Sequence, residues 1–319
     1  MSPARTPEAS EPRAGHALLG QVARLFFEHQ LTKVEIAARL GISRFRVARI
    51  LDQALSEGVV RIEFRDAPAQ DRDLERAIEE RYGIERAKVA SADDGLARLA
   101  AETVDGLLGH GQTIGIAWGS TVARVVAAMP PRDDETIDVV QLAGSSSQLL
   151  AGEDPGDLAR MFAGRLGARH HRIHAPTFVG SADVRKALLR EPEVAATTTH
   201  FDDLAVAVIG IGAFGTGGPA PSSSLLRSGA LGTVEVERLR SAGAIGDLLV
   251  HPFTADGRFV APDLAARAIA ISIDQLYRVP AVVAVAGGAG KADAIRGALE
   301  TGVINVLVTD ADAARRMLG

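Results

Sequence analysis

The sequence contains no cysteine, and this absence excludes several kinds of site at once. Disulfide bonds, thiolate metal sites and cysteine nucleophiles are impossible, and the lack of disulfides agrees with a reducing cytoplasm. The chain also lacks any run of about eighteen apolar residues, the length that a membrane-spanning helix needs. We therefore expect a cytoplasmic protein with no membrane partner.

The N-terminal stretch likewise lacks an apolar segment. Residues 1–15 are rich in proline, alanine and charge, a composition that predicts a disordered leader and not a signal peptide.

Charge is distributed unevenly along the 319 residues, whose net charge is −5. Residues 16–65 contain eight Lys or Arg and five Asp or Glu, so this block carries +3 and the remainder −8. The length allows two domains. We place a DNA-binding domain at 16–65 and a larger domain at 66–319, because a local basic region on an acidic chain is typical of proteins that touch DNA through one end.

The segment from Thr32 onward predicts a helix-turn-helix. Gly41 allows the positive φ of a tight turn between two helices, Ala37 is small where the helices cross, and Ser43 is placed to cap the second helix. A helix over 16–29 and a short strand or wing over 59–64 complete the domain. Apolar residues at helical spacing can form its core, namely Ile36, Leu40, Ile42, Val47 and Ile50.

The second helix would present its N-terminal end to a major groove. The alternative to a DNA-binding unit is a plain amphipathic helical hairpin whose arginines only face solvent. Because the helix cap, the turn glycine, the small residue at the helix crossing and the arginines occur together, the sequence favours DNA binding. The candidate DNA contacts are Thr32, Lys33, Ser43, Arg44, Phe45, Arg46 and Arg49.

The larger domain alternates apolar runs with helical patterns after an entry helix over 70–82. Apolar strands separated by helices predict an α/β fold with a parallel sheet covered on both faces. Ligands of such folds bind beyond the carboxyl ends of the strands. The predicted strands are 113–117, 138–142, 204–209, 282–286 and 306–309, and the predicted helices are 95–108, 121–129, 157–166, 261–277 and 291–299.

Three loops at strand ends are candidate ligand sites. Residues 117–121 (AWGST) lead into a helix whose amides suit an anion, although an ordinary helix cap would look the same. Residues 143–147 (AGSSS) fit either a ligand loop or a flexible connector. Residues 286–291 (AGGAGK) place Lys291, one of only four lysines in the chain, at the mouth of a glycine loop, where a lysine favours phosphate binding over a plain surface position.

Other motifs predict no catalytic residues, metal site or cofactor. The GxGxxG at 210–215 precedes a segment that cannot be a helix, so it fails as a dinucleotide site and suggests a mobile loop at the ligand edge. The spacing of His170, His171 and His174 does not suit a metal. Asp247 can accept hydrogen bonds from sugar hydroxyls, whereas Asp256 with the following glycine suggests a turn.

Five segments together resemble the SorC-type bacterial transcriptional regulators. They are IAARLGISRFRVARIL with EGVVRI, then GIAWGSTV, LAVAVIGIG, GAIGDLL with DG, and VVAVAGGAGKADAIRGALETGVINVLVTDADAA. The resemblance implies a winged helix-turn-helix joined to a domain similar to sugar-phosphate isomerases and glucosamine-6-phosphate deaminases. It also implies operator DNA as a partner, a phosphorylated sugar effector that changes DNA affinity, and a homo-tetramer or dimer.

Carried over by residue, the resemblance places the phosphate at Gly119, Ser120, Thr121 and Lys291 and the sugar hydroxyls at Asp247, with Gly144 and Ser145 lining the same pocket. The family often has Arg or Thr at the position of Ser120 and Asp at that of Thr254, so a different sugar or an unphosphorylated polyol stays open. An isomerase- or deaminase-like enzyme with a DNA-binding arm is the competing interpretation, but no paired acid and base stands at a recognisable spacing.

Overall fold

The computed structural model describes residues 15–60, 69–92, 95–146, 153–215, 222–229 and 231–319. The chain divides into two compact units, Met1–Asp66 and Ala67–Gly319. The predicted leader lies outside the described residues except for Gly15, and so does the predicted wing except for Val59 and Val60, which pack against the core of the small unit.

The small unit is built from three helices: α1 His16–Phe27, α2 Lys33–Leu40 and α3 Arg44–Ser56. Gly41 ends α2 in the left-handed conformation, with φ 65°, and Ser43 caps α3 by accepting a hydrogen bond from the Arg46 amide at 3.1 Å. Ile36, Val47 and Ile50 are buried in one apolar cluster under the helices. The turn, the cap and the core of the predicted helix-turn-helix are therefore confirmed.

The large unit is a nine-stranded sheet with helices between its strands. Its strands are β1 Arg86–Ala90, β2 Thr113–Ile116, β3 Asp138–Gln141, β4 Arg169–His171, β5 Leu204–Ala213, β6 Ala244–Leu248, β7 His251–Thr254, β8 Ala281–Val285 and β9 Val306–Asp310. Its helices are α4 Arg72–Tyr82, α5 Leu96–Asp105, α6 Ser120–Ala128, α7 Pro155–Leu166, α8 Ala182–Leu188, α9 Pro192–Thr198, α10 Ser224–Arg227, α11 Thr233–Ser241, α12 Pro262–Ala265, α13 Ile273–Leu276, α14 Ala292–Glu300 and α15 Ala311–Leu318.

The sheet order is β1-β9-β8-β5-β2-β3-β4, and every pair along it is parallel. Strand β5 runs on past this sheet and pairs antiparallel with β6, which pairs with β7. Alternate residues of β5 enter two separate apolar clusters: Val206 and Val208 face one, Ala207 and Ile209 the other. Burial on both faces explains the continuous apolar run in the sequence.

The predicted helix over 261–277 is wrong. Two short helices, α12 and α13, stand at its ends, and the segment between them is extended. The Ile269 amide donates to the Thr177 carbonyl at 2.8 Å and the Ile271 amide to the Leu142 carbonyl at 2.9 Å. The segment therefore gains its backbone hydrogen bonds from neighbouring chain, a tertiary preference that overrides local helical spacing. Among the described helices, none is long and apolar enough to cross a membrane.

Candidate functional site

A cleft opens beyond the carboxyl ends of β2 and β5, with about 330 Å³ of empty space that is continuous with solvent. Segments distant in sequence meet there, and five of the predicted effector residues lie together in its wall. The lining residues are Trp118, Gly119, Ser120, Thr121, Val122, Gly210, Ile211, Gly212, Ser222, Ser224, Asp247 and Lys291.

The first turn of α6 forms one wall of the cleft. Gly119 has φ 114°, a conformation that side chains rarely adopt, and provides no side-chain cap. The ordinary Ser/Thr helix cap that the sequence left open is therefore not what this turn contains. Among the described residues, no protein acceptor meets the amides of Ser120, Thr121 and Val122 or the two hydroxyls. Unsatisfied amides at the positive end of a helix form an anion site.

Lys291 reaches the cleft from the other side. It ends a 3-10 turn before α14, and its ammonium group donates to the main-chain oxygen of Ile211 at 2.9 Å. Burial lowers the pKa of Lys291, Asp247 opposes that shift, and Arg227 and Arg124 lower the pKa further through their positive charge. Lys291 lines the cleft, and the charges of Arg124 and of Arg227, which pairs with Glu153 at 3.1 Å, reach it; positive charge at this end of the cleft favours an anionic ligand.

The glycine loop before Lys291, which the sequence suggests as an anion-binding loop, packs against Asp310 at the end of β9. The Gly288 amide donates to the Asp310 carboxylate, and a Cβ on Gly287 would clash with that same group. Neither glycine is among the described residues that line the cleft. The loop contributes the Lys291 side chain, and its Gly288 amide is occupied by Asp310; convergence of the other loop amides on an anion stays a prediction.

Asp247 is the acidic group of the cleft and is buried at 3% exposure. The Ser223 hydroxyl donates to its carboxylate. Burial raises the pKa of Asp247 to about 7, while the Ser223 hydrogen bond and the charge of Lys291 act in the opposite direction. Near neutral pH the carboxyl group is therefore present in both protonation states, so it can accept a hydrogen bond from a ligand hydroxyl or donate one to it.

The GxGxxG sequence has a structural explanation here. Gly212 pairs with Asp247 across β5 and β6, and a Cβ on Gly212 would overlap the Asp247 carboxylate. Gly210 also lies inside β5, and Phe214 is buried. The predicted mobile loop is therefore wrong for residues 210–214, and 216–221 lie outside the described residues.

Gly144 and Ser145 are not among the described residues that line the cleft. The Gly144 amide donates to the Ile269 carbonyl at 2.7 Å, and a Cβ on Gly144 would lie 2.6 Å from the carbonyl carbon of Pro176. The Ser145 hydroxyl donates to the Asp154 carboxylate at 3.1 Å. Both residues thus have internal partners, and their ligand contact stays a prediction.

Sequence reasoning missed the serines on the far side of the cleft. Ser222 and Ser224 line it, and Ser223 between them holds Asp247. The run of three hydroxyl residues was the available signal. Thr254, where the sequence departs from the family pattern, hydrogen-bonds to Asp256 and Arg258 in the predicted turn and does not line the cleft.

Two of the three histidines between residues 170 and 174, His170 and His171, lie on an edge strand of the sheet, β4. The His171 Nε2 lies 2.7 Å from an Asp138 carboxylate oxygen. Within the described part of the chain, no group of three or more His, Asp or Glu side chains could hold a metal ion.

In the small unit, the start of α3 presents a basic surface. Arg44, Phe45 and Arg49 are exposed and Arg46 is half-buried, while the Arg44 guanidinium lies 4.9 Å from the centre of the Phe45 ring. The first turn of α3 contains no acidic residue. A major groove could therefore meet this end of the helix without a repelling charge.

The start of α2 has the opposite character. The Thr32 hydroxyl donates to the Glu35 carboxylate at 2.7 Å and accepts from the Glu35 amide at 3.3 Å. The Thr32 amide donates to the same carboxylate at 2.8 Å, and this bond together with the one from the hydroxyl lowers the pKa of Glu35, so the helix begins with a negative charge. The Lys33 ammonium lies 5.9 Å from the Phe26 ring. Contact of Thr32 and Lys33 with DNA remains a prediction, and the structure gives Thr32 a capping role.

Comparisons with known proteins agree with this architecture. The family described as "Putative sugar-binding domain" matches residues 66–319. The erythritol catabolism regulatory protein EryD of Brucella abortus is 30% identical, covering 96% of this chain and 98% of its own length. The sorbitol operon regulator of Klebsiella pneumoniae is 27% identical, over 94% of this chain and 97% of that protein.

Solved structures show the same likeness. The crystal structure of the full-length sorbitol operon regulator SorC from Klebsiella pneumoniae superposes with a TM-score of 0.71 at 26% identity, covering 95% of this chain and 99% of that one. A domain of a possible sugar-binding transcriptional regulator from Arthrobacter aurescens gives 0.69 at 26% identity, over 81% and 100%. The helix-turn-helix, the α/β unit and these matches together show that the chain belongs to the SorC-type family of sugar-binding transcriptional regulators.

Proposed function

We propose that the effector of this regulator is a phosphorylated sugar or polyol, and that its phosphate binds at the first turn of α6. The observation that carries the proposal is the set of unpaired donors in the cleft. The amides of Ser120, Thr121 and Val122 and two hydroxyls have no protein acceptor among the described residues. Ser120 is exposed, Thr121 half-buried and Val122 buried, and a phosphate at the start of the helix would accept hydrogen bonds from several of these donors together.

Lys291 supplies the charge that a phosphate needs. Among the described residues, its ammonium group donates to one acceptor, the main-chain oxygen of Ile211. A charge-assisted hydrogen bond to a phosphate is about twice as strong as a bond to a neutral acceptor. A bond from the ammonium to a bound phosphate would therefore contribute more free energy than its present bond to the main-chain oxygen of Ile211.

The remaining polar groups suit the hydroxyls of the same ligand. Asp247, Ser222 and Ser224 line the cleft beside the anion site. A carboxyl group with a pKa of about 7 and two hydroxyls can each donate or accept. Two relatives are named for sorbitol and erythritol, and this supports a sugar or polyol as the class of effector.

DNA binding would be the role of the small unit, through the N-terminal end of α3. The protein would act in the cytoplasm as a homo-oligomer whose paired units read repeated half-sites. An effector changes DNA affinity only if it binds one arrangement of the oligomer more tightly than another. The large unit would therefore provide both the effector site and the contacts between subunits.

A thermal-shift screen of the full chain tests the effector proposal. Matched pairs of phosphorylated and free sugars and polyols are compared at equal concentration. A true effector stabilises the fold by about 2.7 kcal/mol at a hundred times its dissociation constant. We expect phosphorylated members of a pair to stabilise more, and the best of them to alter binding to promoter DNA. A stronger shift from the free polyol would contradict the phosphate assignment.

Asp247 favours one other candidate function. A carboxyl group with a pKa near 7 beside a lysine is the kind of pair that performs acid–base catalysis, and sugar-phosphate isomerisation needs such a pair. The named relatives are transcriptional regulators. Incubating the protein with the stabilising sugar phosphate and following the product by NMR separates the two: turnover that Asp247→Asn abolishes would establish an enzyme.

A further inference from the structure

An exposed aromatic residue stands at the start of α3. Phe45 is 67% exposed, whereas Val47 and Ile50 of the same helix are 0% and 3% exposed and face the core. A single exposed apolar side chain is common on protein surfaces. The residues around Phe45 decide whether its exposed ring belongs to a binding surface.

Those surroundings are basic and ordered. The Arg44 guanidinium stacks on the Phe45 ring at 4.9 Å, and Arg46 follows in the turn that Ser43 caps. The Arg44 cation is attracted to the face of the ring, so Phe45 stands beside a positive charge with most of its surface open to solvent. This surface combines charges that attract phosphates with one apolar group beside them.

The major groove offers one apolar partner, the 5-methyl group of thymine. Arginines at the start of a helix that enters the groove contact phosphates or guanine edges, and an exposed ring on the same turn would come close to the base edges. We propose that Phe45 is a specificity-determining residue that contacts the methyl group of a thymine in each operator half-site. This inference rests on the proposed function of α3 as the helix that enters the groove.

The test removes the methyl group alone. The full chain first selects its preferred duplexes from a randomised DNA library, and each thymine of the selected sequence is then replaced in turn by deoxyuridine. Burying one methyl group is worth about 0.8 kcal/mol. Wild type should therefore lose about fourfold in affinity for each half-site at one thymine position. Phe45→Ala should bind the thymine and uracil duplexes equally at that position.

Two further variants keep the experiment decisive. Phe45→Leu retains an apolar side chain and should keep part of the difference between thymine and uracil, even if Phe45→Ala binds too weakly to measure. Val34 on α2 is 62% exposed, so Val34→Ala is a matched control and should respond to uracil as wild type does.

The outcomes separate this inference from the function on which it rests. If Phe45→Ala shows the same loss with uracil as wild type at every position, the inference is wrong, and the ring is available for a protein partner. If Arg46→Ala and Arg49→Ala also bind the selected duplex as tightly as wild type, α3 is not the helix that contacts DNA, and the proposed function of α3 fails as well.

Discussion

At the scale of single residues, Asp247 is the cleft residue whose protonation is most affected by folding. It is buried, it faces a glycine across β5 and β6, and its two charged or polar neighbours, Lys291 and Ser223, favour the ionised form without outweighing burial. The result is a carboxyl group whose protonation changes in the physiological range. This residue therefore couples the stability of the large unit to pH.

The pH dependence has a definite sign. The pKa of Asp247 is raised from 3.8 to about 7 on folding, so the folded chain binds the proton more tightly than the unfolded chain. The stabilisation is fully present below pH 3.8 and is lost as the pH rises through about 7. At pH 8, Asp247→Asn should therefore be more stable relative to wild type than at pH 5.

Urea unfolding of both proteins across this pH range measures the difference. Between pH 5 and about 7 the difference in the free energy of unfolding should grow by at most roughly 1.4 kcal/mol per pH unit, and it should level off above that range. A difference that stays constant from pH 5 to pH 8 would mean that Asp247 remains ionised in the folded protein.

At the scale of elements, the N-termini of α2, α3 and α6 differ in how their backbone amides are capped. The start of α2 is closed by a capping box between Thr32 and Glu35, the start of α3 is capped by Ser43 and is basic, and the start of α6 is left uncapped behind Gly119. A capped helix start is stabilised by its own side chains. An uncapped one has donors available for a ligand.

Thr32 allows a test of the capping role. Thr32→Ala removes the hydroxyl that meets the Glu35 amide, and the loss of such a cap costs about 1 kcal/mol. Thr32→Ser keeps a hydroxyl at this position and should therefore retain the stability of α2. Hydrogen exchange at the α2 amides measures that stability in the wild type and in both variants. If the loss of exchange protection is the same for Ala and Ser, the cap does not stabilise this helix.

The predictability of an element followed from its burial. Strands β2, β3, β5, β8 and β9 were predicted because burial on both faces leaves continuous apolar runs. Strands β1 and β4 stand at the edges of the sheet and contain Arg86, Lys88, Arg169 and His170, which interrupt that signal. The antiparallel pairing of β5 with β6 was missed because the glycines of β5 look like a loop unless the Asp247 carboxylate opposite is known.

The candidate site was predicted in part for the same reason. Gly119 to Thr121 and Lys291 follow strands directly, so local sequence reveals them. The Ser223–Asp247 contact joins two segments that meet because β6 pairs with the end of β5. The role of Gly287 and Gly288 depends on Asp310, which lies on a different strand. Contacts between distant segments leave little trace in a single sequence.

At the scale of the whole molecule, the two units have separate cores. The small unit has one apolar cluster, and the large unit has two that enclose its sheet. A unit as small as residues 16–65 offers little surface for both DNA and a subunit partner. We therefore expect the large unit to form the contacts between subunits.

A chain beginning at residue 67 tests this expectation. Light scattering should give it the same number of subunits as the full chain, and promoter DNA should no longer bind. Circular dichroism provides the control that the shortened chain is folded. A folded monomer, beside an oligomeric full chain, would assign the subunit contacts to the N-terminal unit.

The most direct test of the account is calorimetric titration of the best phosphorylated effector into wild type and Lys291→Ala. Loss of one charge-assisted hydrogen bond should weaken binding by about 1.5–3 kcal/mol, with operator affinity in the absence of effector unchanged. Lys186 on α8 is an exposed lysine, so Lys186→Ala is the matched control and should bind as wild type does. Equal effector affinity in wild type and Lys291→Ala would contradict the phosphate site and with it the proposed mode of regulation.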